Sequence, residues 1–137
     1  SDAEGFGLAT LESLSCGTPI IVTMTGGLQE QVTDGEEWFG IGIEPASKAT
    51  IGSQDVPYIN EDRISKEDFK AALHKVYNMT PEEREELGNK GTEHVNKNYN
   101  FEDFKNKWIE LMDKVVEERG SWQTRKNYSP WGIKEIA

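Results

Sequence analysis

The sequence predicts an α/β fold of the doubly wound kind, with few parallel strands and a helical C-terminal segment. Three observations predict it. A continuous apolar run rich in β-branched residues, residues 19–24, follows a short helical pattern and precedes a Gly-Gly pair. That setting favours a buried parallel strand. Helical and strand patterns then alternate over residues 8–44 with short links, the order from which parallel sheets are built. From residue 65 onward the pattern turns helical, and three helices follow, each with a start signal of its own.

Taken in order, Leu8, Leu11 and Leu14 mark a short helix that Gly17 stops. Residues 19–24 (PIIVTM) form the buried strand. Leu28 to Val32 fits one or two helical turns, Asp34-Gly35 a turn, and residues 39–44 (FGIGIE) a second strand. Residues 46–64 are punctuated by Ser47, Thr50, Gly52 and Pro57, with residues 56–59 either a short strand or an extended loop. Ser65 followed by Asp68 opens the first of the three helices, with Phe69, Ala72, Leu73, Val76 and Tyr77 on one face. Thr80-Pro81-Glu82-Glu83 opens the second, with a capping hydroxyl, a proline at the first turn and a glutamate three residues after the cap. Its apolar face is thin: Leu87, Val95 and Tyr99. Asn100 and Asp103 open the third, whose Phe101, Phe104, Trp108, Leu111 and Val115 recur at a 3-4-3-4 spacing that reads as a core-facing stripe. Residues 121–137 carry Trp122, Tyr128, Trp131 and Ile133, an aromatic density that suits a segment lying on a surface better than a disordered tail.

Length and charge limit the function. The 137 residues suffice for one domain. The net charge is −10, concentrated in residues 1–120 at −12, while residues 121–137 carry +2. Such a surface repels phosphate backbones, so nucleic-acid binding is not expected. No apolar run approaches the roughly 18 residues of a membrane span, and no basic-then-apolar start marks a secretory signal, which leaves the cytoplasm as the default location. A single Cys16 with two distant histidines gives no structural zinc pattern. Cys16 is expected to be an inert small hydrophobe beside the buried strand, His74 and His94 surface or packing residues, and Asn78-Met79-Thr80 a chance sequon whose threonine is a helix cap.

The chemistry concentrates in Glu4-Gly-Phe-Gly-Leu-Ala-Thr-Leu-Glu12. Two glycines precede a helix whose first turn presents amides with no internal partner and a partial positive charge. Gly5 and Gly7 have no Cβ, so a diphosphate can approach the backbone closely. Glu4 stands just outside that cradle. Glu12 lies one turn beyond Leu8 on the same face, where a carboxylate can accept both hydrogen bonds of a vicinal diol such as a ribose. A Gly-x-Gly before a helix also fits a plain tight turn. The paired glutamates eight residues apart, then Cys-Gly-Thr-Pro-Ile-Ile-Val, Thr25-Gly26-Gly27, Glu30 and Asp34-Gly35, narrow the reading.

Residues 1 to about 42 resemble the E-x7-E region of retaining glycosyltransferases of the GT-B fold, the family 4 type, whose motif reads roughly E-G-F-G-L-x-x-L-E-A-M-A-x-G-x-P-V-V. The resemblance implies an incomplete Rossmann-like domain, the C-terminal one of the two that such enzymes possess. Residues 1–64 are then a partial donor-binding subdomain, residues 65–120 the C-terminal helices, and residues 121–137 a tail that packs on an N-terminal domain or a neighbour. It implies a catalytic-site role for Glu4, which contacts hydroxyls of the donor sugar without having to be a nucleophile. Gly5, Phe6, Gly7 and Leu8 hold the donor's diphosphate, Glu12 binds its ribose, and Thr25, Gly26 and Gly27 line the cleft. The implied reaction is transfer of a hexosyl group from a UDP- or GDP-linked sugar to an unidentified acceptor with retention at the anomeric carbon. No metal or other cofactor is required, in keeping with the absence of an Asp-x-Asp motif.

The resemblance also sets expectations by what it does not cover. The family's N-terminal domain, its diphosphate-neutralising Arg and Lys and its nucleobase-contacting strand all lie upstream of the motif. A chain starting at the motif is therefore expected to be a fragment that cannot catalyse transfer alone. Its apolar sheet edge is expected to drive dimerisation, strand exchange or poor solubility. Two other classes remain open on residues alone: a non-catalytic nucleotide- or phosphate-binding module using the same cradle, and a helical interaction domain in which residues 65–119 matter and the Gly-rich start is only a turn.

Overall fold

The computed structural model describes residues 2–127 and Gly132. Two units are distinguished, residues 1–98 and residues 99–137. In the first, α1 (Leu8–Ser15), β1 (Ile20–Thr23), α2 (Leu28–Val32) and β2 (Gly40–Ile43) follow the predicted alternation. β1 and β2 pair in parallel with Ile20 opposite Gly40 and Thr23 opposite Ile43. The class is thus α/β with few parallel strands, as expected.

The alternation of side chains along these strands divides the core. Ile41 and Ile43 pack with Ala72 of α3 (Lys66–Asn78), joined by Ile21, Ile64, Val76 and Met79. Leu14, Val22, Val32 and Phe39 are also buried. α4 (Pro81–Asn98) packs along α1, and its Thr92 hydroxyl donates to the Leu14 carbonyl at 3.0 Å. His94 is buried, its ring stacked on Phe39 with centroids 4.1 Å apart and its Nε2 3.0 Å from the Glu30 carbonyl. It is a packing residue, while His74 is exposed.

The helix starts follow the sequence closely. The Ser65 hydroxyl accepts from the Asp68 amide. Thr80 and Glu83 exchange reciprocal bonds, each side chain accepting from the other's amide, which makes the capping box complete. The Glu82 carboxyl is held below its usual range by its own backbone amide and the Thr80 hydroxyl.

Three expectations need correction. Residues 46–64 contain an antiparallel hairpin, β3 (Ser47–Ile51) and β4 (Ile59–Arg63), and residues 56–58 lie in its loop. Neither strand holds a buried residue, so the apolar alternation that normally betrays a strand was never required. Cys16 is exposed at the end of α1 and is not a core hydrophobe. In the second unit, α5 (Phe101–Arg119) forms as predicted, capped by Asn100, which accepts from the Asp103 amide. Yet it buries none of its residues: Phe101, Phe104, Trp108, Leu111 and Val115 are all exposed. The aromatic residues touch one another along the helix, with Phe104 6.3 Å from Phe101 and 6.2 Å from Trp108 between ring centroids. Beyond α5, Arg125 covers the exposed ring of Trp122 at 3.6 Å. Tyr128, Trp131 and Ile133 lie outside the described residues.

Candidate functional site

The site is built where β1 and β2 end. A cleft of about 270 Å³ is bounded by Glu4, by Gly7, Leu8, Ala9 and Thr10 at the start of α1, and by residues 21–23 of β1. Leu28, Ile43, Ile64 and Phe69 complete its wall. It therefore opens at the carboxyl ends of parallel strands, the position where open α/β sheets bind ligands. α1 begins on Gly7 without a side-chain cap. Its first-turn amides thus receive no capping side chain, unlike those of α3, α4 and α5.

The structure distinguishes the two motif glycines. Gly7 has φ +88°, and a Cβ on it would come 2.5 Å from Leu28 Cδ2 and 2.8 Å from Thr10 Oγ1. The fold itself needs glycine there, whatever ligand comes. Gly5 is the opposite case: a Cβ would meet nothing within 4 Å. Close ligand approach, expected at both, is thus an independent reason for glycine only at Gly5.

Thr25, Gly26 and Gly27 were expected to line the cleft. None of the three is among its lining residues. Gly26 and Gly27 instead buttress the motif loop from behind. A Cβ on Gly26 would lie 1.7 Å from the Glu4 carbonyl oxygen, and the Gly27 amide donates to the Gly5 carbonyl at 3.2 Å. Main chain rests on main chain, and the position of Glu4 is set by that contact.

Glu4 is half-buried at the cleft, and Phe6 and Leu8 are exposed. Glu12 is exposed on α1, one turn beyond Leu8, and is not among the cleft's lining residues. The structure therefore brings Glu4, Gly7 and Leu8 together at the cleft, sets Gly5 and Phe6 in the adjoining loop, and leaves Glu12 outside it. Among the described residues no group of three or more His, Cys, Asp or Glu side chains is arranged to hold a metal ion. No described helix is long and apolar enough to cross a membrane.

Residues 1–94 match the family described as glycosyl transferases group 1. The chain belongs to that family. Over 50 residues it is 46% identical to the D-inositol 3-phosphate glycosyltransferase of Acidothermus cellulolyticus, a match covering 36% of this chain and 11% of that protein. The protein of the same name from an Arthrobacter species is 49% identical over 76 residues, 54% of this chain and 17% of the relative. The N-acetyl-alpha-D-glucosaminyl L-malate synthase of Bacillus anthracis is 27% identical over 84 residues, 61% of this chain and 22% of the relative. The chain thus spans 11% to 22% of the length of these relatives.

In this group 1 glycosyl transferase chain, two side chains behind the motif loop escaped the sequence reading. Gln31 is fully buried; its Nε2 donates to the Phe6 carbonyl and its Oε1 accepts from the Thr10 hydroxyl. The signal was its position: Leu28, Gln31 and Val32 share one helix face, and a polar residue on a buried face needs partners. Arg63 is the second. It pairs with Asp2 and Glu61 at 2.5 Å each, its guanidinium held further toward the charged form by the Glu61 carboxylate. With the Asp62 amide donating to the Asp2 carbonyl at 2.7 Å, β4 fixes the strand of chain that leads into Glu4.

Proposed function

We propose that this chain supplies the donor side of a glycosyl-transfer site, in which a sugar moves from a UDP- or GDP-linked donor to an acceptor with retention of configuration. Membership of the glycosyl transferase family supports the reaction class. The observation that carries the reading is the meeting of Glu4 and the uncapped start of α1 in one cleft at the carboxyl ends of β1 and β2.

In this reading the diphosphate lies along residues 5–8, where helix-terminus amides stabilise the negative charge that grows as the bond to the anomeric carbon breaks with its electron pair on phosphate oxygen. Glu4 accepts hydrogen bonds from donor-sugar hydroxyls and fixes the ring. The acceptor hydroxyl adds to the anomeric carbon on the face the diphosphate leaves and passes its proton to the departing phosphate oxygen. Glu12 accepts from the ribose diol just beyond the cleft. No metal is required by this scheme.

The chain alone is expected to bind weakly. Helix-terminus amides contribute about 0.3–1 kcal/mol for each charge at an exposed site, and the net charge of −10 opposes an anion. Titration of the ¹⁵N-labelled 137-residue chain with UDP, GDP and their sugars tests the reading. Amide shifts confined to residues 4–12, with dissociation constants of roughly millimolar size, are expected. Shifts elsewhere, or none at millimolar nucleotide, would refute it. Glu4→Gln should leave nucleotide binding unchanged and abolish any extra affinity that the sugar confers.

A further inference from the structure

We infer that Gln31 is a positioning residue of this site: its buried side-chain amide fixes the Phe6–Gly7 peptide so that the Gly7 amide is directed away from α2. The inference rests on the donor-site reading for its functional meaning and on geometry for its substance.

The orientation of Gln31 is set by chemistry. The Phe6 carbonyl can only accept, so the group facing it is the NH₂ of the glutamine, and the oxygen is left for the Thr10 hydroxyl. That hydroxyl also lies 2.7 Å from the Gly7 carbonyl, so its one proton is shared between two acceptors.

Three consecutive carbonyls are thereby drawn to the protein side. Gly5 accepts from the Gly27 amide, Phe6 from Gln31, and Gly7 from the Leu11 amide at 3.2 Å as α1 begins. No peptide bond here is cis. In a planar trans peptide the N–H points opposite to the C=O. The amides of Gly7 and Leu8 are consequently turned away from α2 and from the body of α1. A row of similarly directed amides is what an anion recognises.

Of these carbonyls, the Phe6 one is held by a side chain. Main-chain bonds hold the Gly5 and Gly7 carbonyls. Gln31 therefore acts on the cradle from outside it, and changing it alters no residue that would touch the ligand. Replacing it by an apolar side chain removes the Gln31 amide from the Phe6 carbonyl and lets the peptide reorient.

The experiment has two arms on the 137-residue chain. In the first, without ligand, residual dipolar couplings of the Gly7 and Leu8 N–H vectors are compared between wild type and Gln31→Met, with slow-exchanging β1 and β2 amides verifying the fold. The Gly7 vector should reorient while β1 and β2 do not change. An unchanged Gly7 vector overturns the inference. In the second, UDP and inorganic pyrophosphate are titrated. Gln31→Met should weaken both by roughly fivefold, the worth of about one hydrogen bond, and equal affinity overturns the inference.

Failure of the donor-site reading shows differently, as absence of binding by the wild type. That outcome overturns the functional half of the inference, while the first arm still decides the geometric half. Should Gln31→Met not fold, Thr10→Val removes the hydroxyl anchoring Gln31 Oε1 and leaves the glutamine in place. The same reorientation, smaller in extent, is then expected, and an immobile Gly7 vector overturns the inference.

Discussion

The contrast between Gly5 and Gly7 gives the sharpest stability prediction. Alanine at Gly7 must adopt φ near +88° and place its Cβ 2.5 Å from Leu28 Cδ2 and 2.8 Å from Thr10 Oγ1. The left-handed backbone costs an L-residue roughly 1–2 kcal/mol. Leu28 is buried and cannot swing aside freely, so the overpacking adds about 1–3 kcal/mol. A loss of about 2–5 kcal/mol follows, a large share of the ~5–15 kcal/mol that holds a typical domain together. Alanine at Gly5 has open space and no left-handed backbone, and should be neutral or stabilising by up to about 1 kcal/mol through the unfolded chain. Urea titration followed by far-UV circular dichroism reads both. With a slope of about 2 kcal/mol/M, Gly7→Ala should lower the midpoint by roughly 1–2.5 M, and Gly5→Ala should not lower it. Equal midpoints for the two variants would refute the argument that fold and ligand make separate demands on the two glycines. Nucleotide titration should then reverse the ranking: a bulkier Gly5→Val obstructs the diphosphate in a protein of unaltered stability.

Other perturbations probe the frame around the loop. His94→Leu keeps the volume but loses the Phe39 stack and the bond to the Glu30 carbonyl; a loss of about 1–3 kcal/mol is expected in thermal unfolding, with nucleotide affinity unchanged. Thr80→Ala opens the capping box of α4 and should lower stability by about 1 kcal/mol, measured in the same assay. The Asp34 carboxyl is held below its usual value by the Glu37 and Glu36 amides that donate to it at 2.8 and 3.0 Å. Its stabilising contribution is therefore complete above the unfolded value of about 3.8 and is lost as pH falls through the lower folded value. Asp34→Asn should be less stable than wild type at pH 7, and the two should converge in acid-unfolding curves at the low end of that window.

The alternation from α1 to β2 was readable because each element there has one task, burial of an apolar face, and the spacing of Leu8, Leu11, Leu14 and the residue 19–24 run records it. Helix starts were readable for the same reason: Ser65, Thr80 and Asn100 each bond an amide three residues away, so cause and effect lie within one turn. The hairpin was not readable, because strands with no buried residue owe nothing to hydrophobic period. The stripe on α5 was legible as a stripe, but periodicity reports that a face exists and not what meets it; the exposure of Phe101 and Trp108 could not be inferred from spacing. Within the site, Glu4 and the Gly-rich helix start were found from local chemistry. The buttressing role of Gly26 and the clamp made by Gln31 depend on contacts 22 and 25 residues apart in the chain, which no local pattern encodes.

The way Gly26 rests on Glu4 has a consequence for how this surface can change over generations. A loop shaped by backbone against backbone does not depend on the identity of its outward side chains. Phe6 and Leu8 are exposed at the loop, so mutation can revise them at little risk to the loop's form. Such a part can drift in what it prefers to grip while the grip itself stays the same, which separates the inheritance of shape from the inheritance of taste.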